Sequence, residues 1–259
     1  MASSKRIQMI LDKLESDGFV STSDLSKDLC VSEVTARNYI NQLEKDGLLR
    51  RTHGGARKIQ GMSYEPSMEE VEKSNIDLKR AISIKALEYI EDGDTIMLDT
   101  SSTCRQLALR IKESKLEDVI LITNSYVTHW LLMDAKGIKL IHLGGETDKR
   151  MKCSNGMMTI KAMSFLRASK AFIGANGIDL EAGITTVSLR EADVKREMMN
   201  RSNISFALMD STKFDKTFVS VVGGINDFDY FITDKKIPQK YKNAFENSDC
   251  HLITSELLN

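Results

Sequence analysis

The sequence predicts an α/β protein in two parts, a small N-terminal head that ends in a basic hairpin and a larger body built on a mainly parallel sheet. Three observations carry this reading. Helical spacing over the first 47 residues gives way to a short basic stretch containing a glycine pair. From Asp94 onward, short apolar runs alternate with helical segments, as in strands joined by crossover helices. A chain of 259 residues has room for one large domain and one small one.

In the head, residues 1–58, the first helix is expected over Ser4 to Ser16, with Ile7, Ile10, Leu11 and Leu14 on one face and Gly18 as its stop. Phe19 and Val20 suit a short strand that pairs with the basic hairpin. A second helix begins within Ser21 to Asp24 and carries Leu25 and Leu29, and Cys30-Val31 leaves only a tight turn before Ser32, the N-cap of a third. Ala36, Ile40 and Leu43 give that helix a narrow apolar face, and Gly47 ends it. The opposite side presents Val34, Arg37, Asn38 and Asn41, with Thr35 and Gln42 at its edge. Arginine pairs with guanine, asparagine and glutamine with adenine, and a small apolar group with a thymine methyl, so this face suits a major groove.

Two short helices joined by a tight turn are the helix-turn-helix arrangement. The stretch that follows, Leu48 to Lys58, holds Arg50, Arg51, Arg57 and Lys58 with no acidic residue, and Gly54-Gly55 supplies a turn between its halves. This is a wing placed to meet phosphate, with His53 contacting phosphate or capping the turn. The candidate DNA contacts are therefore Ser32, Val34, Thr35, Arg37, Asn38, Asn41, Arg50, Arg51, His53 and Arg57. The net charge of −1 excludes a generally basic coat, and residues 1–60 hold ten basic side chains against eight acidic. Binding thus depends on local charge, and a dimer is needed for specificity.

Residues 59–75, with Gly61 and Pro66 and no clear period, read as a linker, although helical spacing resumes from Lys73 to Ile90. The body, 76–259, offers strands at Thr95 to Asp99, Val119 to Thr123, Lys139 to Leu143, Ala171 to Gly174, Ile204 to Asp210, Tyr230 to Thr233 and His251 to Thr254. Helices are expected at Thr103 to Ile111, Ser125 to Met133, Ser188 to Met199 and Gln239 to Asn247. Ligands of such sheets sit at the carboxyl ends of the strands, and five of these strands end in small or polar residues. The candidates there are Asp99, Ser101, Ser102 and Thr103, then Asn124, then Gly144 and Gly145, then Gly174 and Asn176, then Lys213. Hydroxyls and free N–H groups at a helix start form a phosphate seat, with Lys213 as countercharge.

The run from Asp46 to Ala56, reading DGLLRRTHGGA, resembles the closing part of the first domain of the DeoR family of bacterial sugar-metabolism regulators. The resemblance extends through Leu98-Asp99, Thr123-Asn124-Ser125, Leu143-Gly144-Gly145, the segment from Lys170 to Asp179, Gly183-Ile184-Thr185-Thr186, Asp210 to Phe214, and Ile232-Thr233-Asp234. It covers nearly the full chain. It implies a winged helix-turn-helix followed by a sugar-phosphate-sensing domain similar in fold to ribose-5-phosphate isomerase. The implied function is a transcriptional regulator, by family habit a repressor of a carbohydrate-utilisation operon, that binds double-stranded operator DNA as a homodimer or homotetramer and answers to a phosphorylated sugar. The chain departs from the family with Arg37-Asn38-Tyr39 in place of Arg-Arg-Asp, Ser101-Ser102-Thr103 in place of Gly-Thr-Thr, and Ser169 in place of Asp.

The alternative is an aldose–ketose isomerase, which needs a positioned carboxylate. The acid-rich loop of the isomerase aligns with Gly174-Ala175-Asn176-Gly177 and finds no acid there, leaving Asp99 and Asp210 as candidate bases, so no catalytic residue is assigned. Cys104, at a helix start, is either a redox-sensing thiol or a small packed residue. The four cysteines share no metal-ligand spacing, and the sequence implies neither a metal nor a cofactor. Reduced thiols, an interrupted N-terminal apolar stretch and short apolar runs point to a cytoplasmic protein without a membrane partner.

Overall fold

Ile10 and Leu14, one helical turn apart, turn the inner face of α1 (Ser3–Asp17) toward a small core shared with Val20, Leu25, Ala36, Ile40, Leu43 and Ala56. The structure is a computed structural model and describes residues 3–17, 19–46, 48–52, 54–57, 71–72 and 74–256. Gly18, Gly47, His53, Lys58 and most of the 59–75 segment thus lie outside the described residues. The chain divides into two compact units, Met1–Ser74 and Asn75–Asn259.

In the first unit, β1 (Phe19–Ser21) leads into α2 (Thr22–Asp28), and α3 (Glu33–Lys45) follows after the turn. That turn is a Schellman motif: Val31 N–H bonds Ser26 carbonyl at 3.0 Å and Cys30 N–H bonds Lys27 carbonyl at 3.1 Å. The motif needs a left-handed residue, and Cys30 takes it, at φ 51°. Ser32 caps α3 by accepting from Thr35 N–H at 3.2 Å. Beyond α3, β2 (Arg50–Thr52) and β3 (Gly55–Arg57) form the wing, and β3 lies between β1 and β2. The two glycines expected to share the turn divide the work. Gly54 sits in it at φ +86°, whereas Gly55 is already strand, where an added Cβ would come within 2.1 Å of Val20 carbonyl.

The second unit opens with α4 (Ile76–Leu87), which begins after Asn75 and packs on the body sheet and its neighbouring helix. Seven strands follow in one fully parallel sheet: β4 (Thr95–Leu98), β5 (Val119–Thr123), β6 (Ile138–His142), β9 (Ala168–Ile173), β12 (Ser202–Leu208), β14 (Tyr230–Asp234) and β15 (His251–Ser255). Their spatial order is β15-β14-β12-β9-β4-β5-β6. One face is covered by α4, α5 (Ser102–Glu113) and α6 (Tyr126–Leu132), with Ile82, Leu107, Ile111 and Leu132 packed over Leu98, Leu121 and Phe172. The other carries α7 (Met157–Met163), α8 (Leu189–Asn200) and α9 (Gln239–Glu246), with Met163, Met198 and Phe245 over Met97, Ala171 and Phe231. Burial on both faces is why these strands read as continuous apolar runs.

Three additions were not expected from the sequence: the helix α7, a hairpin of β7 (Glu146–Asp148) and β8 (Cys153–Asn155), and an antiparallel sheet of β10 (Gly177–Asp179), β11 (Gly183–Thr186) and β13 (Ser220–Gly223). Strands of three or four residues are too short for alternation to register. Among the described residues, no helix is long and apolar enough to cross a membrane, and no group of three or more His, Cys, Asp or Glu is arranged to hold a metal ion.

Candidate functional site

Burying Ala36, Ile40 and Leu43 leaves the opposite side of α3 to solvent. Val34 is 64% exposed there, beside exposed Arg37, Asn38 and Gln42, while Thr35 and Asn41 are half-buried at the edges. Ser32 and Thr35 hold each other, their hydroxyls 2.9 Å apart, so both shape the helix start. Arg37 rests 3.4 Å from Glu33, an exposed pair that yields easily to a base or phosphate.

The wing sorts its arginines by strand alternation. Arg50 and Arg57 are direct cross-strand partners and share a face, and the Arg57 guanidinium lies 5.5 Å from the centroid of the Phe19 ring. Like charges directly opposite destabilise a sheet, and a phosphate between them removes that penalty. Arg51 projects from the other face, and its N–H is held by Glu44 Oε1 at 2.9 Å, which ties the wing to α3.

In the body, strand order reverses at one place. The chain runs outward from β4 through β5 to β6, then returns to the far side of β4 at β9 and runs outward through β12, β14 and β15. The crevice between the carboxyl ends of β4 and β9 is therefore the topological switch point. The five predicted loops follow β9, β4, β5, β6 and β12, all at this edge of the sheet.

The floor of the switch point is a buried charge network. Asp99, 2% exposed, accepts from Ser101 N–H and Gly174 N–H, each at 2.9 Å, and from Lys195 Nζ. Lys195, 1% exposed, also pairs with Glu191 Oε1 at 2.9 Å. Thr186 Oγ1 stands 2.9 Å from Glu191 Oε2 and 2.5 Å from the Asn176 amide. The Thr186 hydroxyl thus has two acceptors within reach, Asn176 Oδ1 and Glu191 Oε2, and links the Asn176 loop to the buried pair. Burial works against both charges of the central pair, yet the Lys195 ammonium holds Asp99 below the usual carboxylate range, and Asp99 and Glu191 raise Lys195 above the usual lysine value. An ionised Asp99 so engaged is not an isomerase base.

Above this floor, Ser101 caps α5 by accepting from Cys104 N–H at 3.3 Å, leaving the first-turn amides of Ser102 and Thr103 for another partner. Ser101 has φ −64°, open to any residue, so no glycine is needed there. The tight partner is Gly174 across the crevice, where a Cβ would fall 2.4 Å from Ser101 Oγ. Asn124 hangs below the next strand end, its Nδ2 bonded to Ser154 carbonyl at 2.7 Å, and Gly144-Gly145 lead from β6 into β7. Lys213, half-buried after β12, lies near Asp210 and a residue the sequence did not single out, Lys79 of α4. Burial pushes Lys79 down to about 8, Lys213 adds to that, and Asp210 opposes it. Cys104 does not suit redox sensing: it is fully buried, its thiol donates to Phe172 carbonyl at 3.2 Å, and burial, with Asp99, drives its pKa well up.

Residues 6–61 match the DeoR-like helix-turn-helix domain and residues 74–235 the DeoR C terminal sensor domain. The chain is similar to the Lactose phosphotransferase system repressor of Lactococcus lactis subsp. lactis, 35% identical over 95% of this chain and 96% of that protein. It is similar also to the HTH-type transcriptional repressor GlcR of Bacillus subtilis (strain 168), 31% identical over 99% and 98%. Among solved structures, ribose 5-phosphate isomerase A from Methanocaldococcus jannaschii is 24% identical and covers 54% of this chain and 55% of its own, at a TM-score of 0.40, a likeness that bears on neither activity nor ligand. A sensor-domain match across most of the body, a helix-turn-helix match across the head and relatives that align end to end make this chain a member of the DeoR family of transcriptional regulators.

Proposed function

We propose that this regulator represses a carbohydrate-utilisation operon through its head and is released or modulated by a phosphorylated sugar seated at the switch point of its body. The DNA half is supported by the exposed Val34, Arg37 and Asn38 on α3 beside the paired Arg50 and Arg57 of the wing. The relatives' names, which include repressors, support the direction of control. The observation that carries the effector half is the start of α5 at the crevice between β4 and β9, where the Ser101 cap takes the Cys104 amide and leaves the first-turn amides of Ser102 and Thr103 to another acceptor. Lys213 and Lys79 add positive charge from the β12 side. A homodimer or homotetramer working in the cytoplasm belongs to the same proposal, since paired half-sites supply the specificity that one recognition helix lacks. The effector then acts by linkage: a sugar phosphate that binds one arrangement of the heads better shifts the assembly toward it, and ~1–3 kcal/mol of coupling per site suffices.

The test is fluorescence anisotropy of labelled DNA from upstream of the protein's own gene, with and without sugar phosphates. Binding that the sugar phosphates relieve supports both halves, and binding no tighter than to random DNA defeats the first. In the same assay, Arg37→Ala weakens specific binding by ~1–3 kcal/mol, whereas Arg57→Ala weakens all sequences alike and reduces the salt slope by about one.

A pH dependence of opposite signs checks the seat. Without ligand, the folded Lys79 value of about 8 lies below its ordinary 10.5, so the unfolded chain holds more protons between the two and stability rises with pH across that window. An anionic effector needs the charged lysine, so calorimetric affinity falls about tenfold from pH ~7 to pH ~9, with proton uptake on binding near pH ~8. Affinity flat across that range rules Lys79 out of the seat.

A further inference from the structure

Toward the β6 end of the sheet, the body holds a cleft of about 390 Å³, lined by the β7–β8 hairpin from Glu146 to Arg150, by Asn155, and by Arg190 of α8. Two strand spacings, roughly 10 Å, separate β4 from β6, which is the reach of one hexose phosphate anchored at the start of α5. Asn155 joins the cleft to the predicted loops, since its Oδ1 lies 3.5 Å from Asn124 Nδ2. Asn124, 2% exposed, has a buried Oδ1 without a hydrogen-bond partner among the described residues.

Much of the lining is committed to the hairpin itself. Asp148 Oδ1 accepts from the N–H groups of Arg150 and Met151, both at 2.9 Å, and Thr147 Oγ1 meets Tyr126 hydroxyl at 2.9 Å. Glu146 and Arg190 differ. They contact each other across the cleft, from β7 to the first turn of α8, and their side chains remain 61% and 65% exposed. A carboxylate only accepts and a guanidinium only donates, while a hydroxyl does both. Two hydroxyls on adjacent carbons can therefore bridge the pair, one donating to Glu146 and its neighbour accepting from Arg190, in one relative configuration and not its epimer. The cleft as a whole carries Lys149, Arg150 and Arg190 against Glu146 and Asp148, but the Glu146–Arg190 pair itself, one acceptor beside one donor, matches a neutral, polyhydroxylated group.

Resting on the sugar-phosphate reading of the switch point, we propose that Glu146 and Arg190 read the hydroxyl configuration at the non-phosphorylated end of the effector. Occupancy also touches the helix that carries Glu191 and Lys195, so the same contact reports to the buried network.

The test is isothermal titration of the full chain with the 6-phosphates of glucose, galactose and mannose, the 1- and 6-phosphates of fructose, and inorganic phosphate. The wild type separates its best aldohexose phosphate from the worst epimer by about tenfold or more, the effect of one charged hydrogen bond. Glu146→Gln and Arg190→Gln, both at exposed positions, compress that ratio to about twofold and leave inorganic phosphate binding unchanged. Variants that keep the wild-type ranking and ratio overturn the proposal, as does a wild type that binds every epimer alike. A wild type that binds none of the probes, inorganic phosphate included, brings down the switch-point reading first and this one with it. Thermal melts of both variants confirm that they fold.

Discussion

Lys195→Met lowers the stability of the body by ~3–5 kcal/mol, because it removes the ammonium that the buried Asp99 and the half-buried Glu191 share. Asp99 keeps its hydrogen bonds from Ser101 and Gly174 but has no countercharge, and burial then pushes its pKa up instead of down. Urea unfolding followed at Trp130, the single tryptophan, reads this in the body alone. The wild-type Asp99 contribution has a defined sign: its folded value is lowered, so the stability it gives is present above the ordinary carboxylate pKa and is lost as pH falls through the folded one. In Lys195→Met that dependence reverses, and stability rises on acidification as Asp99 takes up a proton. The double variant Asp99→Asn/Lys195→Met recovers part of the loss, and additive single effects would mean that the two groups do not interact.

The same network marks how far the sequence could be read. The head was legible because its signals are local: Ser32 as cap, Ala36, Ile40 and Leu43 at helical spacing, and a basic run with no acid. In the body, both-face burial made strands stand out as apolar runs, and the polar residues after them marked one edge of the sheet before any topology was known. Lys195 and Lys79 stayed hidden. Lys195 lies four residues after Glu191, a spacing that ordinarily means a solvent-exposed pair, and nothing local says that this helix face points at Asp99, 96 residues away. Lys79, between Leu78 and Ala81 on a helix buried almost all round, reads as a tolerated surface lysine until the packing of α4 closes over it. Arg51 was separable from Arg50 and Arg57 by strand alternation, yet three arginines in one basic run read as one patch.

Gly55→Ala costs operator affinity more than Arg37→Ala does, with the body unaffected. The added Cβ would stand 2.1 Å from Val20 carbonyl and 2.9 Å from Ser21 Cα, and both are backbone atoms of β1 that cannot swing aside. Relief requires breaking the Ser21↔Gly55 register, which also carries the 2.8 Å bond from Thr22 N–H to Gly54 carbonyl. Overpacking of this kind costs ~1–3 kcal/mol or more, a large share of the stability of so small a unit. The wing that holds Arg50 and Arg57 over Phe19 is lost with it. Gly54→Ala is the control. Its φ of +86° costs ~1 kcal/mol of backbone strain, but a Cβ there meets nothing within 4 Å, so the wing persists and affinity falls only slightly. Anisotropy on the same DNA, with urea unfolding at Trp130 to check the body, separates the two variants. Equal effects at both positions would mean that the pair serves one turn, while a large loss confined to Gly55 means that close approach of β3 to β1 sets the wing on which DNA binding depends.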